Sequence, residues 1–131
     1  MFVLPMKRKL TAVGIILVAV LVTVYACSAG SLGVLNRQRA DRGLHALQED
    51  AVLMELAAER LAANVRRGQW QHNIRNGRFV GRFRPARAEG CGNTYSPNRV
   101  YVCSMYSRQY KHAGFAMAKV GNRYWQLLLL R

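Results

Sequence analysis

Near its start the chain carries a long uncharged, mostly apolar run: from Leu10 to Ala26 no residue carries a charge, and most are Val, Leu, Ile or Ala. After Cys27 the pattern changes. Ser28 to Ser31 is a short small-residue linker, and Ser31 stands where it can cap a helix running to about Arg42, with Gly43 as its stop. Gly43-Leu-His-Ala-Leu47 crosses over, and Asp50 is placed as the N-cap of a second helix that ends at Gly68. In that helix Leu53, Leu56, Ala57, Leu61 and Val65 recur every three or four residues, which predicts one buried stripe. Residues 73 to 99 lose periodicity and are rich in Gly, Arg, Asn and Pro, which predicts a long loop region with short pieces of structure. Tyr95-Ser96-Pro97-Asn98 reads as a turn. Val100 to Met105 reads as a strand. Ala113–Lys119 and Arg123–Leu130 are two strand-like runs joined by Val120-Gly121-Asn122, the pattern of a β-hairpin. Two helices, a loop region and a hairpin predict an α+β domain over residues 28–131, long enough for one modest core.

The apolar run is preceded by Lys7, Arg8 and Lys9. A basic patch followed by an apolar stretch is a secretory signal or an uncleaved membrane anchor, since ~20 apolar residues are needed to span the hydrocarbon. Val24-Tyr25-Ala26-Cys27 resembles the lipobox of bacterial lipoproteins, which implies lipidation at Cys27. In the other reading Cys27 is only a small apolar residue of a spanning helix. Each version sets residues 1–27 apart and places residues 28–131 outside the cytoplasm, in the periplasm or on the cell surface. With Cys27 taken, Cys91 and Cys103 remain. An oxidising compartment favours a disulfide between them, stabilising a small domain by ~3 kcal/mol, against the alternative of two free buried thiols.

Charge then limits the partners. The chain carries 20 Lys and Arg against 6 Asp and Glu, a formal net charge of +14. Arg66, Arg67, Arg75, Arg78, Arg82, Arg84 and Arg87 fall in one stretch without an acid. Such a surface attracts anions at long range. Outside the cytoplasm these are anionic cell-wall polymers, lipopolysaccharide, anionic lipid head groups or extracellular DNA, against the plainer reading of a solvated basic surface. Aromatic residues are not interleaved with these arginines as a stacking platform for single strands requires, so nucleic acid ranks low as a partner.

The stretch from Leu35 to Asn73 also carries a family likeness. Asn36 and Arg39 three apart on a helix, Gly43-Leu44, Leu47, Asp50, then Leu53 and Ala57 on a Leu/Ala helix leading to His72, resemble the first half of bacterial CAP-superfamily (SCP-like) domains. Gly114-Phe-Ala-Met-Ala followed by Tyr124-Trp125-Gln126 resembles the last hairpin of that family. The resemblance covers about two-thirds of residues 28–131. It implies an α-β-α sandwich with a cleft that in fuller members holds two histidines, able to bind a divalent metal, and two acidic residues. His72 falls on the first histidine, and Ala88-Glu89-Gly90 stands in place of the family's Gly-Glu-Asn. The chain departs from the family beyond Glu89, where the interval is short. Tyr101 rather than a histidine falls near the second ligand, and His112 lies beside the hairpin. The resemblance therefore implies a shortened member with a broken metal pair.

Zinc takes about four donors, and His72, Glu89 and His112 supply three only if they converge. A structural hydrogen-bonding role for His72 is the competing reading. His45 reads as partly buried packing, Trp70 and Trp125 as core. Glu55 and Glu59, with Arg60 and Arg66 nearby, read as a wet helix face rather than an acid–base pair. Ser96 and Ser104 lack a nucleophile-elbow context, and Cys91 and Cys103 are nucleophiles only when reduced. Two functions remain: a membrane-tethered, non-enzymatic binding module that engages anionic envelope material through its arginine face, or a metal-dependent hydrolase built on His72 and Glu89.

Overall fold

The computed structural model describes residues 29–71, 74–75 and 78–131. Residues 1–28, which carry the apolar run and Cys27, lie outside the described residues, as do His72 and Asn73. Among the described residues no helix is long and apolar enough to cross a membrane.

Helix α1 (Ala29–Ala40) is followed by a two-residue strand, β1 (Gln48–Glu49), and helix α2 (Ala51–Arg67). The chain then forms a small antiparallel pair, β2 (Ile74–Arg75) with β3 (Arg78–Phe79), a 3-10 turn over Gly81–Phe83, and strand β4 (Ala88–Thr94). The hairpin of β5 (His112–Val120) and β6 (Arg123–Leu130) ends the fold. Strands β1, β5, β6 and β4 lie side by side in that order; β1 runs parallel to β5 and the other pairs are antiparallel. The α+β class is as expected.

Helix α2 begins and ends where its caps dictate. The Asp50 carboxylate accepts the Val52 and Leu53 amides at 3.0 and 3.1 Å. Gly68 at φ +71° closes the helix in the left-handed conformation, which glycine enters without a Cβ clash. Leu53, Leu56, Ala57 and Leu61 form the buried stripe, while Val65 is half-buried. Helix α1 starts three residues earlier than its sequence predicts, at Ala29, so Ser31 lies within the helix and is not its N-cap position.

The sheet is covered on both faces. Ala113, Phe115, Met117, Leu128 and Leu130 pack with Leu32 and Leu35 of α1 and with Val100, Val102 and Met105. Ala116, Ala118, Leu127 and Leu129 pack with the α2 stripe, Phe79 and Phe83. This explains four consecutive leucines, Leu127–Leu130, all at most 1% exposed: a strand with no wet face reads as a continuous apolar run.

Two strand expectations need correcting, for one linked reason. Val100–Met105 is not a strand. The Val100 amide and carbonyl are both taken by the Gln38 side chain (2.7 and 3.0 Å), and the Tyr101 amide by buried Gln126 (2.8 Å), so side chains replace a ladder. The edge strand is instead β4, in what reads as loop. It carries Gly90 and Gly92 because the backbone of residues 101–103 presses onto it. A Cβ on Gly90 would stand 1.8 Å from the Cys103 carbonyl oxygen, and one on Gly92 2.0 Å from that of Tyr101.

Candidate functional site

The sequence Arg78-Phe-Val-Gly-Arg82-Phe-Arg84-Pro-Ala-Arg87 sets each buried apolar anchor next to an arginine. Phe79, Phe83 and Ala86 sink into the core beneath α2. Arg78, Arg82, Arg84 and Arg87 are left exposed. The Ala86 amide closes onto the Phe83 carbonyl at 3.0 Å, and the Arg87 amide onto the Leu130 carbonyl at 2.7 Å, so this coil is fixed to the end of the sheet. The result is a cleft of about 540 Å³ lined by Arg78, Phe79, Arg84, Ala86, Arg87 and Tyr110. Among the described residues no carboxylate side chain lines it.

The structure divides the seven arginines of the run by role. Arg66 and Arg67 lie in the last turn of α2, where the helix dipole favours cations. Arg82 pairs with Glu59 at 3.3 Å, an exposed bridge of small energetic worth. The side chain of Arg75 lies outside the described residues. Arg78, Arg84 and Arg87 converge on the cleft, and among the described residues no ion pair engages them. Three guanidinium groups with free N–H forks beside the rings of Phe79 and Tyr110 can clamp phosphate or carboxylate oxygens in bidentate fashion.

Tyr110, missed in the sequence, is positioned from α1. The Arg39 Nε donates to the His45 carbonyl at 3.0 Å, and the His45 Nε2–H donates to the Tyr110 carbonyl at 2.8 Å. His45 is therefore an exposed strut and not partly buried packing. Arg39 is fully buried, and its Nη1 also donates to the carbonyls of Met105 (2.8 Å) and Ser107 (3.0 Å); burial lowers its pKa from the ordinary arginine value. Asn36 pairs with both the amide (2.8 Å) and the carbonyl (3.0 Å) of Leu47. The Asn36 and Arg39 of the family-like pattern are thus staples that hold α1 to the loops.

Glu89 sits on β4 beneath α2, its side chain fully buried, 3.7 Å from the Arg60 guanidinium. Arg60 is itself buried, donates to the Gln71 carbonyl, and stacks over Phe83 at 5.3 Å. Its burial corrects its reading as part of a wet face; Glu55 is exposed as expected. Asn64, one turn further along and fully buried, accepts the Gln71 amide at 3.0 Å. Arg60 and Asn64 together clamp one peptide unit on each side of Gln71, the last described residue before β2.

The other cleft candidates are not brought to Glu89. Tyr101 is 68% exposed, and its backbone presses on the opposite face of β4, at Gly92. His112 begins β5, beyond the end of β6, where its amide and carbonyl pair with Arg131. His72 lies outside the described residues. Among the described residues no three of His, Cys, Asp and Glu come together as a metal would need. Among the described residues Glu89 pairs with Arg60, and no divalent metal's donor set is assembled around it.

The expected Cys91–Cys103 bridge is not formed; both thiols are free. Strand alternation explains this. Cys91 shares the α2 face of β4 with Glu89 and donates its S–H to Glu89 Oε1 at 3.2 Å. Cys103 crosses the other face, over Gly90, with its Sγ 3.9 Å from the Cys91 carbonyl oxygen. Burial first, and the Glu89 carboxylate second, push the Cys91 thiol well above its ordinary pKa. It is held as a thiol, the form without nucleophilic power. Trp70 and Trp125 stack at 4.8 Å and pack, half-buried, against the α2-side core.

The chain matches no family model, no curated protein and no solved structure.

Proposed function

We propose that this chain is a non-enzymatic binding module of the CAP type that takes anionic envelope polymer or lipid in the cleft between Arg78, Arg84, Arg87 and Tyr110. The observation that carries this reading is selective convergence. Of the basic stretch, three arginines are gathered around one cavity with no acidic side chain among its described lining residues, while neighbours in the same stretch are paired or sit at a helix end. The cover of α1 and residues 100–107 on one sheet face and α2 on the other supports the α-β-α arrangement that the family resemblance implies. The apolar N-terminal run, with Lys7, Arg8 and Lys9 ahead of it, supports a module tethered at the outer side of a membrane, with lipid on Cys27 or with the run itself as anchor.

Binding of the full chain in nanodiscs to polygalacturonate, and to vesicles with and without phosphatidylglycerol, tests the reading. The wild type is expected to bind the anionic partners and to ignore neutral vesicles. Replacing Arg78, Arg84 and Arg87 together by Gln is expected to remove binding without changing the circular dichroism spectrum. Undiminished binding by that variant overturns the proposal.

A further inference from the structure

A second concavity lies on the α1 side of the sheet and shares no residue with the arginine cleft. It is made of two adjoining pockets, and Tyr106 lines both. One lobe, about 360 Å³, is lined by Gln38, Asp41, Arg42, Asn98, Arg99 and Tyr106. The other, about 390 Å³, is predominantly apolar and includes Tyr101, Val102 and Met105 with Tyr106.

The walls are fixed before any ligand arrives. Gln38 pins Val100 through both its amide and its carbonyl (2.7 and 3.0 Å) and reaches the Tyr106 hydroxyl at 3.5 Å. Gln126, fully buried, donates to the Arg99 carbonyl at 2.6 Å and accepts the Tyr101 amide at 2.8 Å. Arg39 holds the carbonyls of Met105 and Ser107 from below. On this pinned backbone Tyr101 stands 68% exposed, one of only two tyrosines so exposed among the described residues. Rigid, solvent-facing aromatic rings offer contact area at low entropic cost.

The chemistry of the polar lobe selects the ligand class. Arg42, stacked 3.8 Å over the Tyr106 ring, and Arg99 are donors. Asp41 is a pure acceptor that no ion pair engages among the described residues, and Asn98 both donates and accepts. A rim of this kind matches hydroxyl groups, each of which donates and accepts at once. The aromatic lobe beside it matches the apolar face of a pyranose ring. Against a polyphosphate backbone Asp41 offsets part of the attraction of Arg42 and Arg99. A fatty acyl chain fills the apolar lobe but makes no use of Asp41 and Asn98.

We infer that this groove is a subsite for a neutral glycan, with one sugar ring held by Asp41, Asn98, Arg42 and Arg99 and the next laid against Tyr101. The inference stands apart from the arginine cleft, since the two sites share no side chain and differ in charge dependence.

The test is fluorescence polarisation of labelled tetra-N-acetylchitotetraose with the full chain in nanodiscs, with Asp41→Ala, Asn98→Ala and Arg84→Gln beside the wild type. Asp41 and Asn98 are exposed, so their replacement leaves the fold intact. The expected result is binding that does not change as salt is raised, is weakened about tenfold by Asp41→Ala, is weakened also by Asn98→Ala, and is untouched by Arg84→Gln. Absence of binding overturns the inference. So does displacement of the sugar by a short oligothymidylate or by decanoate together with indifference to Asp41→Ala. Steep salt dependence with sensitivity to Arg84→Gln assigns the sugar to the arginine cleft and overturns it as well.

Discussion

Arg39 and Arg60 on one side, and Arg78, Arg84 and Arg87 on the other, put the same side chain to opposite uses. The first two are buried and spend their N–H groups on the protein itself: Arg39 on three carbonyl oxygens, Arg60 on the Gln71 carbonyl, Glu89 and the Phe83 ring. The other three are exposed, and their hydrogen-bonding forks face a cavity. Desolvated guanidinium groups are costly unless paired, and these two rest on the carbonyl, carboxylate and ring contacts just named, with Arg39 Nη2 and Arg60 Nε left without a hydrogen-bond partner among the described residues. Solvated ones near no carboxylate retain their attraction for an external anion. A high count of arginines therefore says little until burial separates the two groups.

The largest effect expected from this contrast is on the buried side. Arg60→Ala removes the cation beside a fully buried carboxylate and frees the Gln71 carbonyl, a loss of about 3–5 kcal/mol by the measure of broken buried pairs. Replacing Arg60 and Glu89 together by Met and Leu is expected to recover much of it. Arg39→Met leaves three carbonyls without their donor and is expected to cost at least about 3 kcal/mol. Urea denaturation of each variant gives these numbers. A loss for Arg39→Met as small as that of an ordinary surface substitution would erase the contrast.

A smaller effect is expected at the α2 cap. Burial alone raises the Asp50 carboxyl, but the Leu53 amide, the Arg131 guanidinium and the Val52 amide outweigh it and hold the folded pKa below the ordinary value. The folded state thus favours the carboxylate. Its contribution is fully present above the unfolded carboxyl pKa of about 3.9 and is lost as pH falls through the lower folded value. Asp50→Ala is expected to cost about 1 kcal/mol at neutral pH. Asp50→Asn keeps a capping oxygen and is expected to flatten the acid limb of the stability profile. A profile unchanged by Asp50→Asn would remove Asp50 from the account of acid sensitivity.

These sites differ in how visible they are along the chain. Helix α2 and the β5–β6 hairpin are legible because period, caps and turn residues agree: Asp50 and Gly68 bound the helix, and Gly121 turns the hairpin. The buried charges are legible only in part. Arg60 and Asn64 follow Leu53 and Ala57 at helical spacing, so their positions mark them as inward, while their polarity argues for solvent; the burial pattern wins because Glu89 and Gln71 wait to receive them. Strand β4 is hidden because it is built from glycine and polar residues to admit a neighbouring backbone. Val100–Met105 misleads in the opposite sense, since its β-forming residues give their backbone groups to Gln38, Gln126 and Met105. The arginine cleft is half visible: the alternation of Arg and Phe from Arg78 to Arg84 shows which side chains point out, but Tyr110 enters only through the path from Arg39 to His45.

The smallest expected change in stability, and the largest in binding, belongs to the exposed arginines. Substituting Arg84 and Arg87 by Gln is expected to shift stability by no more than about 0.5 kcal/mol, since neither makes an ion pair among the described residues. The most direct measurement is the salt dependence of binding to phosphatidylglycerol vesicles, wild type against this double variant. The account predicts a steep fall of affinity with salt for the wild type and a weaker, shallower dependence for the variant. Equal affinities and equal slopes would contradict it, and would return the seven arginines to the status of a solvated surface.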